Sequence, residues 1–575
     1  MAAVSGAVGA VSRPLGRDPL THRVRLKFAL NSRASLAPSP ASAGIPGATN
    51  DGIKKASVLF RRLGGAPRVV GSRSSAAHVT RAVVAPNYKD DLDFDEDDDV
   101  YTWRVGGAND IPIRHLRDVY RGEAPLVAIP NPFCTSSSCP VRGIGDRTPL
   151  NLNRVFVSED DRVLLKAIAF GSPDSLAAQC SFDCSVDGSF DEPCDVCSFT
   201  PEFCYRAGPR AKIYFEPAEV HAAIVNCGGL CPGINDVVRS VVNTLEVGYG
   251  VKKISGIRFG WGGFWKDGVE NMPLTRRNTS GVQDRGGSII GCGRGGGDVP
   301  KIVDSIEQQG INMVFVIGGN GSHAGANAIS AECAERGLKV SVVGIPKTID
   351  NDILHIDKTF GFDTAVEEAQ KAIKAAAVEA KSALNGVGVV KLMGRQSGFI
   401  AMHAALASGS VDVCLIPEVP FAMEGPNGVV EHIKSLLATQ GHAIICLAEG
   451  AGQEYVQETG TDAGGNPKLG DIGPWFCKRL KREMSCDVKY IDPTYMVRGV
   501  TANAHDSIYC TILGQNAVHG AFAGYTGISI GMVNTHAVFL PIERLIEKER
   551  LVDPDGRMWH RLLTSTGQPD FAMNE

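Results

Sequence analysis

The chain has 575 residues, 43% of them hydrophobic and 21% charged, with a net charge of -5 and an isoelectric point near 6.3. That balance fits a globular protein of roughly three or four structural units and gives no electrostatic footprint for nucleic acid. No uninterrupted apolar stretch is long enough to cross a bilayer, so neither nucleic acid nor membrane is expected as a partner.

Residues 1–89 are rich in Ala, Ser, Arg, Gly and Pro, and their only acidic residues are Asp18 and Asp51. Such a segment buries too little apolar surface to order itself. A basic, Ser-rich, acid-poor start without a long apolar region predicts an organelle transit peptide, with an unstructured tail as the alternative. Residues 90–99 form an acidic run, read as a solvated linker. A mixed segment from Arg114 to Pro217 carries seven of the sixteen cysteines, Cys134, Cys139, Cys180, Cys184, Cys194, Cys197 and Cys204. The other nine are scattered through the apparent core and read as small buried apolar side chains.

From His221 onward, short β-branched runs alternate with helical patterns. Strands are predicted at Ala222–Asn226, Met313–Ile317, Ser341–Ile345, Val387–Leu392, Asp412–Ile416 and Ala443–Ala448. Their near-continuous apolar character suits parallel strands buried on both faces. Asn235 is expected to cap a helix through Val237, Val238, Val241 and Leu245. Thr364 with Glu367 forms an expected capping box, and Gly310 an expected helix stop. The alternation predicts a doubly wound α/β fold.

In such folds, ligands sit beyond the carboxyl ends of the strands. The first predicted strand runs into Cys227-Gly228-Gly229-Leu230-Cys231-Pro232-Gly233, where glycines allow backbone amides to approach an anion. Gly286 to Gly297 sets Arg294 in a glycine loop before a helix starting near Asp298. Gly318-Gly319-Asn320-Gly321-Ser322 is a phosphate cradle without the Lys-Ser/Thr pair of a Walker loop. Pro346-Lys347-Thr348-Ile349-Asp350-Asn351-Asp352 sets two carboxylates at a strand end, as phosphoryl transfer to a hydroxyl requires. Lys391 to Arg395 and Ala448-Glu449-Gly450 end two further strands, and Lys489, Tyr495 and Arg498 supply groups for a remote phosphate. Each of these also has an ordinary reading as a tight turn, a helix cap or a solvated loop.

In order, the segments GGLCPG, GGNGS, PKTIDND, MGR, AEG and YMVRG resemble the phosphofructokinase family over roughly Tyr214 to Phe571, most closely its plant and algal plastid-type members. The resemblance implies two Rossmann-like lobes with mainly parallel sheets. An ATP lobe would span residues 214–385 with 501–545, and a fructose 6-phosphate lobe 386–500 with 546–575, after an extension over 90–213. It implies ATP on Gly228, Arg294, Gly295, Gly319, Asn320, Gly321 and Ser322. Asp350 would be the catalytic base, with Thr348, Asp352 and Arg395 beside it, and Mg2+ would lie near Asn320. The sugar phosphate would meet Thr348, Ile349, Asp350, Met393, Gly394, Arg395, Glu449, Lys489, Tyr495, Met496, Val497 and Arg498.

The resemblance also implies a glycolytic kinase acting on fructose 6-phosphate, a homo-oligomer (tetramer or dimer), and a plastid location, with the cytoplasm as the alternative. Gly321, where diphosphate users carry Asp, favours ATP; Lys347 is typical of diphosphate users. Asn320 departs from the usual Asp of that motif. The arginine that bacterial relatives lend across subunits falls on Gly386. A diphosphate-dependent transferase and a non-catalytic regulatory subunit are the runner-up readings. For Cys180, Cys184, Cys194, Cys197 and Cys204, three readings stand: a regulatory dithiol acted on by thioredoxin, a zinc site on the first four with a loose spacing, and inert thiols. Acidic neighbours raise thiol pKa and count against fast reactivity.

Overall fold

The computed structural model describes residues 109–133, 156–166, 202–456, 460 and 468–571. Fifteen strands run in chain order: β1 Ile129–Pro130, β2 Arg162–Leu164, β3 Phe203–Arg206, β4 Lys212–Ile213, β5 His221–Asn226, β6 Lys253–Ile257, β7 Met272–Pro273, β8 Met313–Gly318, β9 Ser341–Pro346, β10 Gly386–Leu392, β11 Val413–Leu415, β12 His442–Ala448, β13 Asp487–Ile491, β14 Ile528–Val533 and β15 His536–Pro541. Nine form one sheet in the order β2-β3-β15-β14-β9-β8-β5-β6-β7. Four form a second in the order β11-β12-β10-β13, and β1 pairs with β4. The second sheet is wholly parallel. The first is parallel from β14 to β6 and antiparallel at both margins.

All six residues of β5, β8 and β9 are buried. The pleat explains why continuous apolar runs are needed. Ala222, Ile224, Phe315 and Ile317 enter one apolar cluster, and Ala223, Val225, Val314 and Val316 enter another on the opposite face. The second face is covered by Ile302, Val303 and Ile306 of the helix Val299–Gln309 and by Ala326 and Ile329 of Asn320–Glu335. The first cluster continues through the helix Phe362–Lys381 into the second sheet, so the two sheets share one core. Among the described residues, no helix is long and apolar enough to cross a membrane.

Two predicted caps are corrected. The helix Ile234–Asn243 starts after Gly233, whose φ of 96° only glycine adopts readily. Asn235 instead accepts from Ile289 N at 2.9 Å and donates to Arg285 O at 3.0 Å, holding the next loop. Thr364 and Glu367 form no capping box. The start of Phe362–Lys381 is capped from about 140 residues away by Asp506, whose carboxylate accepts from Gly361 N (2.9 Å), Thr364 N (2.8 Å) and Thr364 Oγ (2.6 Å). Gly310 does end the helix Val299–Gln309, at φ 65°.

Asp506 is fully buried. Its replacement by alanine leaves two amides without partners and the Thr364 hydroxyl without an acceptor, which costs about 3 kcal/mol. Urea unfolding should report that loss, and Asp506→Asn should recover part of it.

Candidate active site

The C-terminal ends of both parallel sheets open on one cleft of about 570 Å³. On the first sheet, three turns are laced together by backbone hydrogen bonds. Cys227 N donates to Ile317 O (2.8 Å), Gly228 N to Gly293 O (2.9 Å) and Lys347 N to Gly318 O (2.9 Å). Gly228, Arg294, Gly295 and the stretch Gly319 to Ser322 therefore line one wall. Asn320 opens the helix Asn320–Glu335, whose unpaired amides favour an anion. Lys347 is buried and donates to Gly229 O at 2.7 Å; burial lowers its pKa.

The turn after β9 carries Thr348, Ile349, Asp350 and Asp352, and the hydrogen bonds that frame it leave the Asp350 carboxylate unused. Asp350 N donates to Thr348 Oγ1 (3.0 Å), Thr359 Oγ1 to Thr348 O (2.6 Å) and Ser397 Oγ to Asp350 O (3.1 Å). Asn351 takes φ 59°, a left-handed geometry that asparagine tolerates, and its Oδ1 accepts from Thr359 N at 3.0 Å. Burial, then the Asp352 and Glu449 carboxylates, push Asp350 up to about 8, against the pull of Arg395 and Lys347. Burial also raises Asp352, opposed by a hydrogen bond from Thr348.

Met393, Arg395 and Glu449 come from the ends of β10 and β12. Glu449 N donates to Leu392 O (2.8 Å) and Gly450 N to Gly394 O (3.0 Å). A Cβ on Gly450 would stand 1.9 Å from Arg395 O, so only glycine lets these two turns touch. Burial raises the Glu449 carboxyl, while Lys391 and Arg395 lower it. Arg498 crosses from the second sheet towards the first. A Cβ on Gly229 would lie 3.3 Å from its Nη1 and 3.6 Å from Arg294 Nη2.

Not every predicted residue reaches the cleft. Lys489 sits within β13 opposite Gly388 and pairs with Asp487 at 3.0 Å. Tyr495 and Met496 face solvent, and Val497 is buried in the core. Gly394 supports the wall without lining it. Cys204 is a correction: it lies fully buried in β3, and burial pushes its thiol up to about 12, so it is no accessible redox group. Cys180, Cys184, Cys194 and Cys197 lie outside the described residues. Of the nine scattered cysteines, seven are buried, and Cys292 and Cys486 are half-buried.

Five lining residues were missed: Trp261, Gly325, Gln396, Ser397 and Glu549. Trp261, in a glycine-aromatic run that could have flagged it, packs against the Gly297 loop and against Gly325 in the helix Asn320–Glu335. Glu549 and Gln396 face each other across the cleft; with its nitrogen towards Glu549, the Gln396 amide donates to Oε1 at 3.2 Å. Glu549 rides on a strap, residues 546–552, that spans the two sheets. Arg550 N donates to Asp352 O (2.9 Å), Arg550 Nη1 to Ile356 O (3.1 Å), and Val552 N to Glu418 (2.8 Å), whose carboxylate also accepts from Gly398 N.

A family model described as phosphofructokinase matches residues 221–521. The chain is 56% identical over 466 residues to ATP-dependent 6-phosphofructokinase 5, chloroplastic, of Arabidopsis thaliana, covering 80% of this chain and 84% of that one. It is 55% identical over 375 residues to ATP-dependent 6-phosphofructokinase 7 of the same plant, covering 64% and 77%. Among solved structures, a pyrophosphate-dependent phosphofructokinase from Marinobacter aquaeolei superposes with a TM-score of 0.52 at 20% identity, over 62% of this chain and 92% of that one. At that identity the superposition speaks for the fold alone.

Proposed function

The chain belongs to the phosphofructokinase family, and from that membership and the cleft we infer that it transfers a phosphoryl group from ATP to fructose 6-phosphate. The observation that carries the chemistry is Asp350, half-buried where the turns of the two sheets meet, with its Oδ1 shielded from solvent and unpartnered among the described residues. We assign Asp350 as the base. Oδ1 takes the proton of the sugar 1-hydroxyl as that oxygen attacks the γ-phosphorus. Thr348 holds the Asp352 carboxylate beside it, and Arg395 faces the charge that spreads over the transferred group. The glycine-lined wall from Gly228 to Ser322 takes the ATP phosphates. Glu449, Met393 and Arg498 take the sugar phosphate.

The family implies magnesium, and the donor set fits it. Asn320 and Asp352 each present a buried Oδ1 without a hydrogen-bond partner among the described residues. Such an ion would be held through few protein oxygens, with water and phosphate completing its shell. When bound there, magnesium would neutralise phosphate charge.

Lobe bounds of 214–385 with 501–545, and 386–500 with 546–575, are our assignment, supported by β14 and β15 joining the first sheet and by Phe571 O accepting from Ala422 N (2.7 Å) near the second. The chloroplastic relative and the acid-poor N-terminus support a plastid location. Exposed apolar residues on the second-sheet side, Leu384, Val378, Tyr495 and Met496, support a homo-oligomer.

A coupled assay on fructose 6-phosphate tests the reaction. ATP should sustain turnover and diphosphate should not; the reverse result removes the donor assignment, and no turnover with either removes the kinase. The pH dependence tests the base. Because a base acts deprotonated and Asp350 is raised, the acid limb of kcat/KM should lie well above the ordinary carboxylate range. Asp352→Asn removes one raising charge, so the limb should move to lower pH. A limb that stays in place would count against the pairing.

A further inference from the structure

Lys391 lies one residue from the end of β10, two positions before Met393. Its side chain is largely buried, and its Nζ stands 2.9 Å from Asp471 Oδ1 and 2.9 Å from Asp492 Oδ2. Asp471 immediately precedes the helix Ile472–Glu483. Asp492 is the first residue after β13, whose last pair with β10 is Val390 with Ile491, so the ion pair extends the strand ladder by one step. Asp492 Oδ1 in turn accepts from Thr494 N at 3.1 Å. The coil that follows is closed by Met496 N and Val497 N on Pro493 O (2.8 and 3.1 Å) and by Gly499 N on Tyr495 O (3.0 Å), and it delivers Arg498 to the cleft.

One ammonium thus fixes two segments that reach the same cleft: its own strand, running on to Arg395, and the coil bearing Arg498. Burial disfavours the ammonium, but the hydrogen bonds to Asp471 and Asp492 outweigh it and raise its pKa, so the charge is kept. Among the described residues, nothing equivalent ties Lys391 to the nucleotide wall, where Lys347 and the glycine turns are held by the first sheet's own backbone bonds.

We propose that Lys391 is a positioning residue for fructose 6-phosphate, setting the spacing of Arg395 and Arg498 through Asp492 and Asp471. The inference rests on reading Arg498 as a sugar-phosphate ligand. In the full-length chain, Lys391→Met should raise KM for fructose 6-phosphate about tenfold, with KM for ATP within about twofold of wild type. Lys391→Arg should restore most of the loss. Asp492→Asn, at a surface position, should reproduce most of it, and adding it to Lys391→Met should change little, because the Asp492 contact is already lost with Lys391. Calorimetric binding of fructose 6-phosphate without nucleotide should weaken in parallel.

An unchanged KM for the sugar phosphate, equal rises for both substrates, or additive effects of the two variants would overturn the proposal. If Lys391→Met fails to fold, Asp492→Asn and Lys391→Arg decide the matter alone. Arg498→Ala separates the two levels. An unchanged sugar-phosphate KM in that variant sinks the ligand reading, whereas a large rise there with no effect at Lys391 sinks only the positioning role.

Discussion

Replacing Asp350 with alanine should lower kcat by on the order of 10² or more, with KM for both substrates within about threefold. The structure makes this a clean experiment. The turn from Thr348 to Asp352 is held by Thr359, Asn351 and Ser397 through backbone and hydroxyl atoms, and none of those bonds uses the Asp350 carboxylate. Removing that carboxylate takes away a proton acceptor and leaves the frame. It also removes a buried group whose charged form is disfavoured by burial, so stability should hold or rise slightly. Asp350→Asn keeps the shape and should lose a similar factor. A coupled assay giving kcat within about fivefold of wild type for either variant would remove Asp350 from the role of base.

The second large effect is expected at Gly321. A Cβ there meets nothing within 4 Å, so aspartate can be introduced without displacing backbone. Its carboxylate would enter a cleft that already holds Asp350, Asp352, Glu449 and Glu549. At a separation of about 4 Å from a nucleotide phosphate, its charge would be repelled by about 4 kcal/mol at an effective dielectric of about 20, enough for three orders of magnitude before screening. Gly321→Asp should therefore cut kcat/KM for ATP by on the order of 10² through KM, while the melting temperature moves by less than about 2 °C. Wild-type use of ATP by the variant would show that this position does not decide the donor.

How much of this was legible depended on where each residue's partners lie. β5, β8, β9, β10 and β12 were readable because a strand buried on both faces must be a continuous apolar run. β6, whose sequence is Lys-Ile-Ser-Gly-Ile, and the β14–β15 hairpin carried weaker patterns and were passed over. The glycine turns were readable because the strand before each one was. The cap on Phe362–Lys381 was not, since Asp506 is distant in sequence and a local Thr-x-x-Glu imitated the answer. Lys489 was grouped with Arg498 by its spacing, but sequence spacing does not say that Lys489 sits in the middle of a strand and Arg498 on the loop beyond it. Glu549 lies in a run of charges indistinguishable from an ordinary solvated surface.

The strap bearing Glu549 has a consequence for how the molecule fails. A single protease nick between residues 550 and 552 would leave both sheets and the cleft arginines in place, yet it would separate the Arg550 amide on Asp352 from the Val552 amide on Glu418. Such a clipped enzyme would keep its mass on a native gel and much of its melting behaviour while turning over poorly, so intactness judged by size or heat alone would misreport the active fraction of a preparation.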